Sequence, residues 1–229
     1  MVRTTANRGT PPCFSEGPGT RAGIIRLPVA PGCNMSCRFC TRQDSAQTLA
    51  GMSVRVLAPE SAVDRVAALI DNGTPPAGVE IAGPGEPLVN AATMTVLTKL
   101  HWLYPDLPLS VWTNGLLLPE RLSELVRRGV SVLTVSINAS APATAEQIYE
   151  WIIYRGRRLE GREAAEVLLH QQWSGLANAI EAGLSVTVCS VVLPGVNLQD
   201  IPLIEKRARD LGADNVKAVP LPSGQKFLS

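Results

Sequence analysis

The sequence predicts an α/β fold: a partial, open βα barrel (TIM-like) of about six βα units, too few to close the eight-fold form. Three observations carry this. Short β-branched runs at Ile24 to Val29, Gly78 to Ala82, Leu109 to Trp112, Val130 to Ile137, Leu184 to Leu193 and Val216 to Leu221 alternate with stretches of helical spacing. The runs are nearly continuous in apolar residues, which marks parallel strands with their faces covered by crossover helices. No segment repeats at a fixed period, so solenoids and propellers are set aside.

The helices are well punctuated. In Pro59 to Asn72, Val63, Val66, Ala67 and Ile70 fall at i, i+3, i+4 and i+7, with Pro59 at the entry and Gly73 past the end. A longer helix covers Ala91 to Tyr104. Pro119 to Arg128 places Leu122, Leu125 and Val126 on one face and stops at Gly129, and Asp200 to Leu211 stops at Gly212. The stretch from Thr144 to Ala182 reads as two helices separated by the polar turn Arg155 to Gly161, long enough to be an insertion on the regular unit. Residues 1–22, rich in Gly, Pro, Thr and Arg, read as a loosely docked N-terminal arm, 23–222 as the barrel and 223–229 as a C-terminal tail.

Composition limits the function. The 229 residues are 45% hydrophobic and 18% charged, with a formal net charge of +1. That is enough apolar material for a sizeable core, and no overall field exists to draw in nucleic acid or an acidic membrane. No apolar run reaches the roughly 18 residues of a membrane span. The first ten residues carry two arginines with no apolar stretch behind them, so no secretory signal is read and a cytoplasmic, reducing location is expected. Five cysteines, Cys13, Cys33, Cys37, Cys40 and Cys189, are an odd and clustered set that argues against a disulfide framework.

Chemistry concentrates in Cys33-Asn34-Met35-Ser36-Cys37-Arg38-Phe39-Cys40, a C-x3-C-x2-C motif directly after the first strand. A 4Fe-4S cluster usually takes four thiolates, so three leave one iron open to a further ligand. A zinc site is the competitor, but structural zinc wants four ligands, and the two histidines, His101 and His170, lie far along helical segments. At this spacing and place the triplet resembles that of the radical SAM superfamily. The resemblance implies that Cys33, Cys37 and Cys40 ligate a 4Fe-4S cluster whose open iron is chelated by S-adenosylmethionine. Reductive cleavage would then give methionine and a 5'-deoxyadenosyl radical. It also implies an external one-electron donor of ferredoxin or flavodoxin type. Phe39 falls where the superfamily commonly has an aromatic beside the adenine; an apolar residue filling a gap is the alternative.

The second strand ends in Ala82-Gly83-Pro84-Gly85-Glu86-Pro87, which by itself is a turn with a carboxylate beyond it. Beside the triplet, Gly83, Gly85 and Glu86 resemble the superfamily's glycine-glycine-glutamate motif, which meets the amino group of S-adenosylmethionine. Pro84 replaces the middle glycine, so the contact would rest on backbone carbonyls. Thr113 and Asn114 end the third strand, Ser136 and Asn138 the fourth, and Ser190 and Asn197 flank the run after the fifth. The first four sit on the C-terminal rim, where carboxylate or ribose could be met and where each could equally close a turn; Ser190 and Asn197 resemble the segment that in the superfamily borders adenine and ribose.

Across nearly the whole chain the sequence is similar to the radical SAM domain of the NifB family of nitrogenase cofactor biosynthesis proteins. The similarity runs through Pro12 to Ser15, Leu27 to Asn34, Ile81 to Leu88, Thr113 to Gly115, Ile148 to Ala165 and Leu193 to Asn197. It implies iron-sulfur cofactor biosynthesis, with a cluster donor or scaffold protein as a further partner. That family holds two substrate clusters with cysteines and a histidine outside the triplet, and most of these are missing here. Cys13 matches one; others would fall near Ala46 and Ser110. Three functions therefore stand: NifB-like cofactor assembly, a radical SAM maturase or modifying enzyme with another substrate, and a non-catalytic iron-sulfur or zinc carrier. Cys189, inside an apolar strand, reads as a small core residue. Arg155, Arg157, Arg158 and Arg162 read either as an anion pocket over the barrel mouth or as a solvated basic turn.

Overall fold

A computed structural model describes residues 23–40, 48–49, 52–53 and 56–221. The expected arm and tail, and Cys13 with them, lie outside the described residues. In chain order the elements are β1 (Ile24–Leu27), β2 (Met35–Cys37), β3 (Thr48–Leu49), β4 (Met52–Ser53), α1 (Pro59–Asp71), β5 (Gly78–Ile81), α2 (Ala91–Leu103), β6 (Leu109–Thr113), α3 (Leu118–Arg127) and β7 (Val130–Ser136). There follow α4 (Pro142–Ile148), β8 (Tyr149–Tyr154), β9 (Arg157–Glu160), α5 (Gly161–Glu181), β10 (Ser185–Val192), α6 (Asp200–Leu211) and β11 (Asn215–Pro220).

Six strands form one sheet in the order β1-β5-β6-β7-β10-β11, every pairing parallel. These are the six apolar runs of the sequence, because each is long enough for one strand and too short for a buried helix. Leu27, Ile81, Leu133 and Val188 are fully buried, as are Val66 of α1, Leu97 of α2 and Leu125 of α3. The sheet is curled into a half-barrel, with the Arg26–Glu80 pair and Trp112 on the face turned away from the helices.

The insertion differs from expectation. Residues 149–160, expected from the sequence as helix and polar turn, form the antiparallel hairpin β8–β9 between α4 and α5. Tyr149-Glu150-Trp151-Ile152-Ile153-Tyr154 is rich in aromatic and β-branched residues, which suit a pleated surface better than a helix. Arg155 and Gly156, at φ 49° and 74°, make the two-residue turn whose left-handed backbone matches strand twist. β8 does not end at the hairpin: its other edge pairs antiparallel with β2, inside the cysteine loop, to make a three-stranded sheet.

Candidate active site

The cysteine loop is held by backbone from two sides. On one, Gly85 N–H donates to the Ala30 carbonyl at 2.6 Å and Glu86 N–H to the Gly32 carbonyl at 2.8 Å, while Ala30 N–H donates to Gly83. The approach is close enough to dictate the residue type: a Cβ on Gly85 would stand 2.0 Å from the Gly32 oxygen. On the other side, Met35 pairs with Ile152, Ser36 with Trp151 and Cys37 with Tyr149, with a register shift between Ser36 and Cys37. Ile153 N–H donates to the Asn34 carbonyl and Arg38 N–H to that of Ile148. Glu150 adds a side-chain clasp, accepting from the Ser36 hydroxyl at 2.8 Å and pairing with Arg38 at 3.6 Å.

Cys33, Cys37 and Cys40 are half-buried and form no disulfide. Cys37 Sγ lies 3.6 Å from Met35 Sδ, and Cys40 N–H donates to the Cys37 carbonyl. Burial pushes the Tyr149 phenol well above its usual range, and the neighbouring Cys37 pushes the same way. Cys33 and Asn34 open onto a cavity of about 460 Å³, also lined by Val89, Leu117, Glu120 and Ile153. Among the described residues no group of three His, Cys, Asp or Glu side chains could hold a single metal ion as placed.

Glu86 is turned inward. One carboxylate oxygen accepts from Leu88 N–H at 3.0 Å and the Thr113 hydroxyl at 2.6 Å, the other from Asn114 N–H at 2.7 Å. Burial pushes the carboxyl above the usual range, and these three donors pull it back. Its effect is to tie the Gly83–Glu86 turn to the end of β6. From there Asn114 Nδ2 donates to Asn34 Oδ1 at 2.8 Å, which connects Glu86 through Asn114 to the residue after Cys33. Asn34 Nδ2 is buried beside the cavity without a partner.

The remaining rim residues form a second group. Asn197 donates to the carbonyls of Asn138 and Val191 and accepts from Leu193 N–H, filling its amide. Asn138 accepts from Val191 N–H and donates to Tyr149 Oη, Ser190 Oγ donates to the Ile137 carbonyl at 2.5 Å, and Ser136 Oγ accepts from Trp112 Nε1. Phe39 is half-buried against the core. The structure thus brings Glu86, Thr113 and Asn114 into one network that reaches Asn34, next to Cys33, and groups Asn138, Ser190 and Asn197 at the ends of β7 and β10.

Several positioning residues carry no sequence signal of their own. Asn90 clasps the two loops, donating to the Gly32 carbonyl at 2.9 Å and the Glu86 carbonyl at 2.7 Å while accepting from Gly32 N–H. Gln172, buried in α5, donates to the carbonyls of Asn114 and Ser136, both at 2.9 Å, and so connects β6 to β7. The arginines of the hairpin are neutralised locally: Arg155 pairs with Glu120, Arg157 with Glu163, Arg158 with Glu160 and Arg162 with Glu166. For Arg157, Arg158 and Arg162 these pairs support the solvated turn, while Arg155 also lines the cavity beside Cys33.

Comparison with known proteins follows the same lines. The pattern of the radical SAM superfamily matches residues 27–208. The chain belongs to the radical SAM superfamily. Within that superfamily it is NifB-like. It is 37% identical over 213 residues to the FeMo cofactor biosynthesis protein NifB of Klebsiella pneumoniae, covering 92% of this chain and 46% of that one. It is 33% identical over 202 residues to the protein of the same name from Methanocaldococcus infernus, covering 87% of this chain and 67% of that one. The chain spans about half the length of most of the curated relatives it matches. Among solved structures, methylornithine synthase (PylB) aligns at a TM-score of 0.53 and 16% identity over 88% of this chain and 55% of that one. Native anSMEcpe with bound AdoMet aligns at 0.53 and 16% over 86% and 51%. At that identity they show the shared fold alone. Among the described residues no helix is long and apolar enough to cross a membrane.

Proposed function

We propose that the chain is a radical SAM enzyme of iron-sulfur cofactor assembly, the class named for its NifB relatives. The observation that carries this reading is a three-cysteine loop held by two backbone clamps, with Cys33 and Asn34 on a cavity and the Asn34 Nδ2 donor unpaired beside it. Half-exposed thiols with a free polar donor next to them fit a thiolate-ligated cluster that accepts a polar ligand at its open corner. Cys33, Cys37 and Cys40 would hold the 4Fe-4S cluster. The chemistry such a cluster would supply there is a single electron, passed on from an external donor, for reductive cleavage of a carbon–sulfur bond of S-adenosylmethionine.

The chain's own residues bind and orient. Backbone oxygens of the Gly83–Gly85 segment meet the ammonium, Asn34 Nδ2 donates to a ligand oxygen, and Phe39 packs beside the adenine. Glu86, Thr113 and Asn114 act on the ligand through the loop they hold, since the Glu86 carboxylate already accepts three bonds. Ser136, Asn138, Ser190 and Asn197 shape the opposite rim in the same indirect way. The electron comes from a ferredoxin- or flavodoxin-type donor in a reducing, cytoplasmic setting. The substrate cluster comes from a donor or scaffold protein, because Ser110 and Ala46 stand where that family has further cysteine ligands.

A second reading, radical modification of an organic substrate, is favoured by one observation: the barrel's concave face carries charged and aromatic side chains, Arg26, Glu80 and Trp112. One experiment tests the common core of both. The anaerobically reconstituted protein, given dithionite and S-adenosylmethionine, should form 5'-deoxyadenosine, and Cys37→Ala should form none. Equal product from that variant would overturn the ligand assignment, and none from wild type would leave a carrier.

A further inference from the structure

Tyr149, the first residue of β8, belongs to neither the cysteine loop nor the Glu86 network, yet three parts of the rim converge on its side chain. Its register partner across the antiparallel pair is Cys37 of β2. Directly opposed residues of such a pair project to one face with Cβ atoms about 4.5–5.5 Å apart, so the ring and the Cys37 sulfur are neighbours. Met35, two residues before Cys37 and on the same face, places its Sδ 3.6 Å from that sulfur. At the far end of the ring, Asn138 Nδ2, just past β7, donates to Tyr149 Oη at 3.2 Å. Gln172 of α5, which donates to the carbonyls of Asn114 and Ser136, acts on the same phenol. The tyrosine is 5% exposed, so its hydroxyl must find its partners inside the protein.

The hydrogen bonds on this phenol run one way. Asn138 cannot turn its amide over, because Oδ1 already accepts from Val191 N–H at 2.8 Å. Its Nδ2 therefore faces Tyr149, and the phenolic oxygen is the acceptor of that bond. Gln172 acts in the same sense as Asn138, favouring the charged phenol as donors to its oxygen do. A hydroxyl whose oxygen receives still has its own proton to give, and a buried donor left unused is costly. Two acceptors compete for that proton. One is Gln172 Oε1, buried and without a partner, although Gln172 presents a donor to the phenol. The other is the sulfur of Cys37, which faces Tyr149 in register and also acts on it electrostatically. As a thiolate it is the stronger acceptor, because the bond is then charge-assisted.

We propose that Tyr149 is a positioning residue of the cysteine loop: with its oxygen held by Asn138, it gives its hydroxyl proton to the sulfur of Cys37 when that sulfur is a cluster ligand, and so raises the reduction potential of the cluster. This rests on the radical SAM reading of the loop and deepens it. A hydrogen bond to a ligand sulfur strengthens as negative charge is added, so it favours the reduced form, and such bonds are one of the levers that set iron-sulfur potentials. Where the reaction begins from a reduced cluster, the phenol lowers the demand on the external electron donor. It also joins Cys37 to the second rim group, since the Asn138 carbonyl accepts from Asn197.

The midpoint potential of the anaerobically reconstituted full-length chain, read by electron paramagnetic resonance without S-adenosylmethionine, tests this, with 5'-deoxyadenosine formation measured on the same samples. Tyr149→Phe keeps the ring and removes the donor. Its midpoint should be more negative than that of wild type by about 59 mV, a tenfold change in the ratio of reduced to oxidised cluster for one electron. A 3-fluorotyrosine placed at Tyr149 keeps the shape and strengthens the donor, so it should shift the midpoint the other way. That second variant decides the matter if the phenylalanine variant holds no cluster. Tyr154→Phe, on the same strand, removes a hydroxyl bonded to Glu120 and should leave the potential unchanged. Equal potentials in wild type and the Tyr149 variants overturn the proposal and leave the proton with Gln172. An equal shift in Tyr154→Phe overturns it too, assigning the effect to a loosened hairpin. No cluster signal from wild type sinks the radical reading and the proposal with it. The expected shifts without 5'-deoxyadenosine leave the role of Tyr149 standing and sink the radical reading alone.

Discussion

Glu86→Gln separates two roles that the same residue could play at this rim. Each carboxylate oxygen accepts a backbone N–H, one from Leu88 at 3.0 Å and the other from Asn114 at 2.7 Å. A glutamine cannot serve both: whichever way its amide is turned, an NH2 group faces a buried N–H donor. The variant therefore loses one charge-assisted bond, at about 1.5–3 kcal/mol, and strands a buried donor, at about 1–3 kcal/mol. Because the group is fully buried, solvent screening does not reduce these figures, and a loss of about 3 kcal/mol is the lower part of the range. For a chain of this size that is a fall in melting temperature of roughly 6–12 °C. The assay is thermal or denaturant unfolding of the metal-free protein without S-adenosylmethionine, with ligand affinity measured separately. Thr113→Val, which leaves both backbone bonds to Glu86 but removes the hydroxyl donor and the acceptor of Gly115 N–H, should cost about 2 kcal/mol without changing ligand affinity tenfold. A Glu86→Gln protein that melts like wild type but binds S-adenosylmethionine tenfold more weakly would refute the positioning role and put Glu86 on the ligand.

Three further outcomes follow from the same geometry. Gly85→Ala places a methyl group 2.0 Å from the Gly32 oxygen and 2.9 Å from that of Ala30. The two loops must part, so the variant should lose about 3 kcal/mol and all 5'-deoxyadenosine formation, and wild-type turnover would contradict the clamp. Asn90→Ala removes three loop-bridging bonds, with an expected loss of about 2 kcal/mol and less iron retained after reconstitution; full iron content would show the clasp is dispensable. Glu80 gives a pH signature. Burial holds its carboxyl above the ordinary range against the pull of Arg26 and Lys217. A folded-state value raised above the unfolded one gives stability that is fully present below the unfolded value of about 4.3 and fades as pH rises through the folded one. Wild type should therefore lose stability relative to Glu80→Gln as pH is raised from about 4 toward neutrality. A relative gain over that window would mean the ion pair outweighs desolvation.

The sheet was legible because parallel strands covered by helices announce themselves as apolar runs with glycine and proline between them. All six matched to within a residue or two at most ends, as Gly78–Ile81 and Val130–Ser136 illustrate. The hairpin of 149–160 was not, since Tyr149 to Tyr154 has a composition that serves a strand or a buried helix, and the deciding partner, β2, lies over a hundred residues away. Sequence offers Glu86 or a nearby backbone carbonyl as a ligand contact and cannot choose between them; in the structure the carboxylate accepts from Leu88, Thr113 and Asn114. Nothing local distinguishes a carboxylate that meets an ammonium from one that pins a turn; only the donors around it do. Asn90 and Gln172 escaped for the same reason, their partners being carbonyls of distant loops.

The claim on which the account depends is that Cys33, Cys37 and Cys40 hold a cluster with one corner left for S-adenosylmethionine. Electron paramagnetic resonance of the reduced, anaerobically reconstituted protein, recorded with and without S-adenosylmethionine, addresses it directly. A single 4Fe-4S signal that changes shape when the nucleotide is added is the expected result. A signal that ignores the nucleotide, or a colourless protein with zinc in the loop, would contradict it.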